Sequence, residues 1–142
     1  MELYLENGYT SLNKAGEELC GDRVKVADDG QFTTLVLADG LGSGVKANIL
    51  STLTSTILCT MVSGGVSIEE CVDTIIQTLP VCKERGVAYA TFTVIHVDRQ
   101  GKGYMFEFDN PEAIYISGGK CRNFDRVPHK FEGKTVYITE LN

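Results

Sequence analysis

The spacing of apolar positions along the chain switches between a period of two and a period of three to four, and each switch marks a predicted element. From Glu2 to Glu6 polar and apolar residues alternate, with Leu3 and Leu5 on one side, which predicts a strand with one wet face. Asn13, Lys14, Ala15 and Gly16 then break the chain. Arg23–Ala27 and the β-former run Phe32–Ala38 (FTTLVLA) flank the turn residues Asp28, Asp29 and Gly30, so the three segments together predict a hairpin.

From Val45 the period becomes helical. Leu50, Leu53, Ile57, Leu58 and Met61 recur on one side, Thr52, Ser55 and Thr56 on the other, and a helix is predicted over Val45–Val62 with Gly64 and Gly65 as its stop. Ser67-Ile68-Glu69-Glu70 has the form of a capping box, in which two side chains satisfy free backbone donors, so a second helix runs from Ser67 to Leu79, before Pro80. After Gly86 the pattern returns to strands. Ala90–Val97, a polar turn over Asp98–Lys102, and the alternation of Tyr104, Phe106 and Phe108 predict a second hairpin. Asp109-Asn110-Pro111 turns the chain, Ala113–Ile116 is a short strand, Ser117–Lys120 is a Gly-Gly turn, and Thr135–Thr139 is one more strand. The order of strands, two helices and strands implies an antiparallel α+β layered fold rather than alternating βαβ units.

Composition narrows the function classes. A chain of 142 residues, 43% hydrophobic and 23% charged, suits one domain over residues 1–142 with its own core. The formal charge of -6 (13 basic, 19 acidic residues) has its basic residues scattered, which argues against a nucleic-acid partner. No basic leader, signal-length apolar core or membrane-length apolar stretch is read, so a cytoplasmic chain without a membrane partner is expected. The five cysteines (Cys20, Cys59, Cys71, Cys82, Cys121) form no CxxC pair and read as buried or half-buried reduced thiols; with only His96 and His129 available, zinc is disfavoured.

Chemistry concentrates at the ends of the first hairpin. Asp22 opens its first strand and Asp39 closes its second, so an antiparallel pairing returns both carboxylates to one end of the sheet, within roughly 5–10 Å. Two acids that close repel unless a cation sits between them. Hard cations such as Mn2+ or Mg2+ prefer carboxylate, carbonyl and water oxygens, and Gly40, directly after Asp39, frees the backbone to turn its carbonyl toward an ion. The competing reading is plain turn chemistry, since Asp-Gly at a strand end is a common turn signal. Other readings fit less well: Gly44-Val45-Lys46-Ala47 lacks the Gly-Lys-Ser/Thr of a phosphate loop, and Gly40-Leu41-Gly42-Ser43-Gly44 misplaces the third glycine of a dinucleotide fingerprint. No Gly-x-Ser-x-Gly elbow is present for nucleophilic catalysis.

GEELCGD (Gly16–Asp22) followed by LVLADGLGSGVKA (Leu35–Ala47) resembles the metal-dependent serine/threonine phosphatases of the protein phosphatase 2C type, in the bacterial branch typified by stage II sporulation protein E and its short clostridial members. ATFTVIHVD and FDNPEAIYISGGK fall where that branch has its next central strands. The resemblance implies a protein phosphatase 2C-like α-β-β-α sandwich: two antiparallel sheets with an antiparallel helix pair on an outer face, the C-terminal portion missing. It implies that Asp22 and Asp39 are catalytic metal ligands, with Asp39 bridging two Mn2+ or Mg2+ ions and the Gly40 carbonyl completing one of them. A water held by both ions would then attack a phosphoprotein's phosphate directly, and a homodimer is compatible with it.

Two departures bear on the transfer. Eukaryotic relatives carry a phosphate-binding arginine shortly before the first aspartate; here that stretch is Gly16-Glu17-Glu18-Leu19-Cys20, leaving Lys14 as the candidate contact. The resemblance also implies a second Ser-Asp-Gly segment and a final aspartate, which do not occur before Asn142; Asp98, Asp109 and Asp125 lack the matching context. A catalytically incomplete regulatory or protein-binding module of the same fold is therefore the alternative to the phosphatase.

Overall fold

The computed structural model describes residues 4–12, 15–16, 20–40, 42, 44–78, 81–82, 87–88, 90–131 and 134–142. The first hairpin pairs β1 (Asp22–Asp28) with β2 (Phe32–Asp39), closed by a turn in which Asp28 and Asp29 carboxylates accept from the Gly30, Gln31 and Phe32 amides at 2.8–2.9 Å. Two helices follow, α1 (Gly44–Ser63) and α2 (Ile68–Thr78). After the two-residue strands β3 (Val81–Cys82) and β4 (Val87–Ala88) come β5 (Thr91–Asp98) and β6 (Gly103–Phe108). The chain then forms β7 (Tyr115–Ser117), β8 (Lys120–Arg122), β9 (Val127–Phe131) and β10 (Lys134–Leu141).

Every pairing is antiparallel. Six strands form one sheet in the order β1-β2-β5-β6-β10-β9, and β3-β4 and β7-β8 form two smaller sheets of two strands each. The α+β class and the helix pair on one outer face are as the resemblance implies, with the strands shared unevenly among the sheets. Both long hairpins and both helices fall within two residues of their predicted bounds; the predicted end of α2 at Leu79, with Pro80, lies outside the described residues.

Period two sorts the sheet residues onto two faces. Val36, Phe92, Val94, Phe106 and Val136 point to the helices and meet Leu50, Leu58 and Val62 of α1 and Cys71, Val72 and Ile75 of α2 in one core. Each fully buried Leu or Phe there contributes about 1.5–3 kcal/mol of hydrophobic stabilisation. The connection between helices is a Schellman stop: Gly65, at φ 84°, donates to the Val62 carbonyl and Val66 to the Met61 carbonyl, both at 3.0 Å. The Ser67 hydroxyl then accepts from the Glu70 amide at 3.3 Å, the N-cap half of the expected capping box.

Four expectations are corrected. The buried stripe of α1 is Ala47, Leu50, Ser51, Thr54, Ser55, Leu58, Cys59 and Val62, so Ser55 lies inside while Leu53 is 46% exposed. Val45, Ile49 and Leu53 form a second apolar line on the same helix, so hydrophobicity alone does not choose the face; small side chains choose it, because they let the helix approach the sheet. Ser51 and Ser55 satisfy their hydroxyls on the Asn48 and Thr52 carbonyls at 3.1 Å. Second, α1 is long and apolar enough to cross a membrane by length and composition, contrary to the reading of the apolar stretches; here its buried face is seated on the sheet. Third, the strand predicted over Glu2–Glu6 does not form in its described part: residues 4–12 have no regular structure, Tyr4 and Leu12 are exposed, and residues 1–3 lie outside the described residues. Fourth, Cys121 is exposed, whereas Cys59 and Cys71 are buried and Cys20 is half-buried.

On the face away from the helices, the Glu107 side chain is 1% exposed and paired with Arg126 at 3.0 Å, while its second oxygen accepts from the Ala113 amide at 3.1 Å. Arg126 also reaches Glu112 and lies 4.4 Å over the Tyr137 ring. This network ties residues 109–126 to β6 and β10. Removing one partner of a buried pair strands the other charge, at a cost of about 3–5 kcal/mol. Arg126→Ala is therefore expected to lower stability by about 3 kcal/mol in urea unfolding, and adding Glu107→Leu to recover part of that loss.

Candidate metal centre

The β1-β2 register runs symmetrically from the turn, and its last pair places Asp22 directly opposite Asp39. The sequence allowed an offset of two or three residues; the structure has none. Residues facing each other across an antiparallel pair have Cα atoms about 4.5–5.5 Å apart, so the two carboxyl groups act on each other directly. The Gly40 amide donates to the Gly21 carbonyl at 2.9 Å, which carries the pairing one step past the acids.

Burial, then the neighbouring Asp39 charge and a hydrogen bond donated to the Asp39 carboxylate, push the Asp22 carboxyl above its ordinary pKa of 3.8. Asp22 therefore holds its proton more tightly than a lone exposed aspartate. A divalent cation would relieve the same repulsion.

Gly40 is needed for a reason other than the one its position suggested. Its φ is not in the left-handed region; instead, a Cβ there would lie 2.0 Å from the Ala47 carbonyl oxygen and 2.8 Å from the Ala47 Cα. The first turn of α1 thus sits against the backbone that follows Asp39. Gly42 and Gly44 do take positive φ, 121° and 82°, in the bend into the helix. Leu41 and Ser43 of the same loop, and Lys14 as candidate phosphate contact, lie outside the described residues.

A cleft of about 730 Å³ opens beside Asp22, lined among others by Tyr9, Cys20, Arg23, Val24 and Asn48. Asn48 of α1 holds its wall, donating to the Cys20 carbonyl at 2.9 Å. Arg23 was overlooked in the sequence although it directly follows Asp22. The sequence marks Asn110 only as a turn residue, yet Thr91 donates to its Oδ1 at 2.6 Å and its Nδ2 donates to Thr93 at 3.0 Å. Among the described residues no three His, Cys, Asp or Glu side chains converge as a metal cluster, so Asp22 and Asp39 stand as a pair.

The family model for stage II sporulation protein E matches residues 29–130. No curated protein matches the chain. Among solved structures, the phosphatase domain of the protein phosphatase 2C type, with a fragment of the regulatory domain, of the cell fate determinant SpoIIE from Bacillus subtilis is 18% identical at a TM-score of 0.66, covering 92% of this chain and 40% of that one. RsbX in complex with magnesium is 22% identical at a TM-score of 0.57, covering 100% of this chain and 73% of that one. The chain thus spans about two fifths of the SpoIIE chain it matches.

Two outcomes follow from this geometry. Gly40→Ala is expected to cost about 3 kcal/mol or more in urea unfolding, because backbone rather than a flexible side-chain end must move. Asp39→Asn is expected to raise the melting temperature of the metal-free chain by roughly 1–3 °C near neutral pH, by removing a like charge from a largely exposed pair. The sign follows from the raised Asp22 pKa: its stabilising contribution is complete below 3.8 and lost as pH rises through the raised value. The gain in the variant is therefore expected to vanish in acid, as thermal melts across pH would show.

Proposed function

Because the chain belongs to the stage II sporulation protein E family, we propose that it acts as a metal-dependent serine/threonine phosphoprotein phosphatase domain, with Asp22, Asp39 and the Gly40 carbonyl as its cation ligands. The observation that carries this reading is the direct opposition of two carboxyl groups at one strand end, beside an open cleft. Carboxylate and carbonyl oxygens are the donors that Mn2+ and Mg2+ prefer, and the two facing acids supply the charge. The magnesium of the RsbX complex supports the same choice of ion.

Such a cation, when bound, supplies an acidified water and offsets charge on the phosphoryl oxygens. Asp22 and Asp39 hold and orient it. The backbone after Asp39, seated on Ala47, keeps those oxygens from drifting, and Arg23 is a cation among the residues that line the cleft. A phosphoprotein substrate and a cytoplasmic site of action belong to this proposal.

The number of donors favours a second reading alongside it. Each hard cation takes about six oxygens, and two carboxylates with one carbonyl serve one ion while offering little charge to a second. A binuclear site is thus incomplete among the described residues, which suits a regulatory module of the same fold. Electron paramagnetic resonance of Mn2+ titrations and Mn2+-dependent hydrolysis of an aryl phosphate separate the readings. The expected result is one weakly held Mn2+ per chain and slow turnover at most, both lost in Asp39→Asn. Fast turnover would show that the donors have been undercounted, and absence of Mn2+ binding would leave the regulatory module.

A further inference from the structure

The Asp39 end of β2 is secured on two sides by different means. On the β1 side the ladder itself continues to the Gly40–Gly21 hydrogen bond. On the other side Thr91, the first residue of β5, stands opposite Asp39 in register. A strand end of this kind frays unless something outside the ladder holds it.

Asn110 supplies the hold from the turn that follows β6. Its Oδ1 accepts the Thr91 hydroxyl proton at 2.6 Å and its Nδ2 donates to the Thr93 hydroxyl at 3.0 Å, with the Leu37 carbonyl of β2 a longer 3.5 Å away. Thr91 is 6% exposed, so loss of Asn110 would leave a buried hydroxyl without this partner beside the acid pair. The turn is built to present the amide: Asp109 adopts φ 53°, the single positive value at a non-glycine among the described residues, and the Ala113 amide, three residues after Asn110, is pinned by the buried Glu107. A side chain with both ends of its amide engaged on one strand sets that strand's position more tightly than a single bond does.

We propose that Asn110 is a positioning residue for the carboxylate pair, holding the start of β5, and through it the Asp39 end of β2, in the register that shapes the cation site. The inference rests on the reading of Asp22 and Asp39 as cation ligands. It assigns Asn110 no contact with the ion or the substrate. Groups that orient metal ligands from behind change metal affinity by about 10–100-fold when removed, and Asn110, acting through a strand end, is expected at the lower limit of that range.

The test is a Mn2+ titration of the 142-residue chain, read by electron paramagnetic resonance of the free ion, on the wild type, Asn110→Ala, Thr91→Val and the double variant. Thr34→Val serves as the control for stability, since it removes a buried 2.8 Å contact with His96 far from the acids along the same sheet. The expected result is affinity about 5- to 10-fold weaker in Asn110→Ala and in Thr91→Val, with no further loss in the double variant and no change in the control. Thr91→Val and Asn110→Ser carry the test if Asn110→Ala does not fold. Unchanged Mn2+ affinity in the Asn110 and Thr91 variants, with the wild type binding Mn2+, would overturn the role of Asn110 alone. A wild type that binds no Mn2+ would overturn the cation reading and this inference with it.

Discussion

Two carboxyl groups brought into contact at the end of an antiparallel pair oppose folding, and much of the surrounding architecture can be understood as what holds them there. The β1-β2 ladder alone would relax by fraying, since its terminal pair is the repulsive one. Continuation of the pairing to Gly21 and Gly40 prevents this on one side, and the seat of Gly40 on the Ala47 backbone prevents it from below. The core between sheet and helices therefore has a local consequence: it is what keeps α1 against the strand end. A fold that sets two carboxyl groups against each other retains an affinity for positive charge, which is the property a cation site needs.

The two faces of the sheet divide the work. The helix-side face is apolar and supplies most of the burial, with Phe92 and Phe106 packed edge to face at 5.9 Å between ring centres. The other face carries the polar organisation: Asp22 and Asp39 at the rim, then Thr91 and Thr93 on Asn110, then Glu107 on Arg126. Register makes these groups neighbours. Asp39 stands opposite Thr91, and Thr93 opposite Glu107, so one intervening strand, β5, and two residues along it separate the acid pair from the buried ion pair that anchors the 109–126 segment.

The hairpins, the helices and the Asp22–Asp39 pairing were legible because local signals agreed: alternation, turn residues and caps all pointed to the same elements. The face of α1 was not, since three apolar residues line its exposed side and packing distance, set by Ser51, Thr54 and Ser55, decided the outcome. β9 was missed because Val127–Phe131 contains Pro128, which argues against a strand; as the sheet's edge, β9 accommodates it. Gly40 was correctly singled out on incomplete grounds, because close approach to Ala47 is a tertiary fact that no local pattern encodes. Asn110 and Arg126 act on residues 17–19 positions away in sequence, Asn110 across the β5-β6 hairpin and Arg126 from the segment before β9, beyond the reach of local pattern.

Titration of the Asp22 side-chain carboxyl carbon by nuclear magnetic resonance tests most directly whether the acid pair is a cation site rather than an ordinary turn. Without metal the midpoint should lie above 3.8, and a saturating amount of Mg2+ should drive it below that value by stabilising the charged form. An Asp22 midpoint at the ordinary value, indifferent to Mg2+, would contradict the claim.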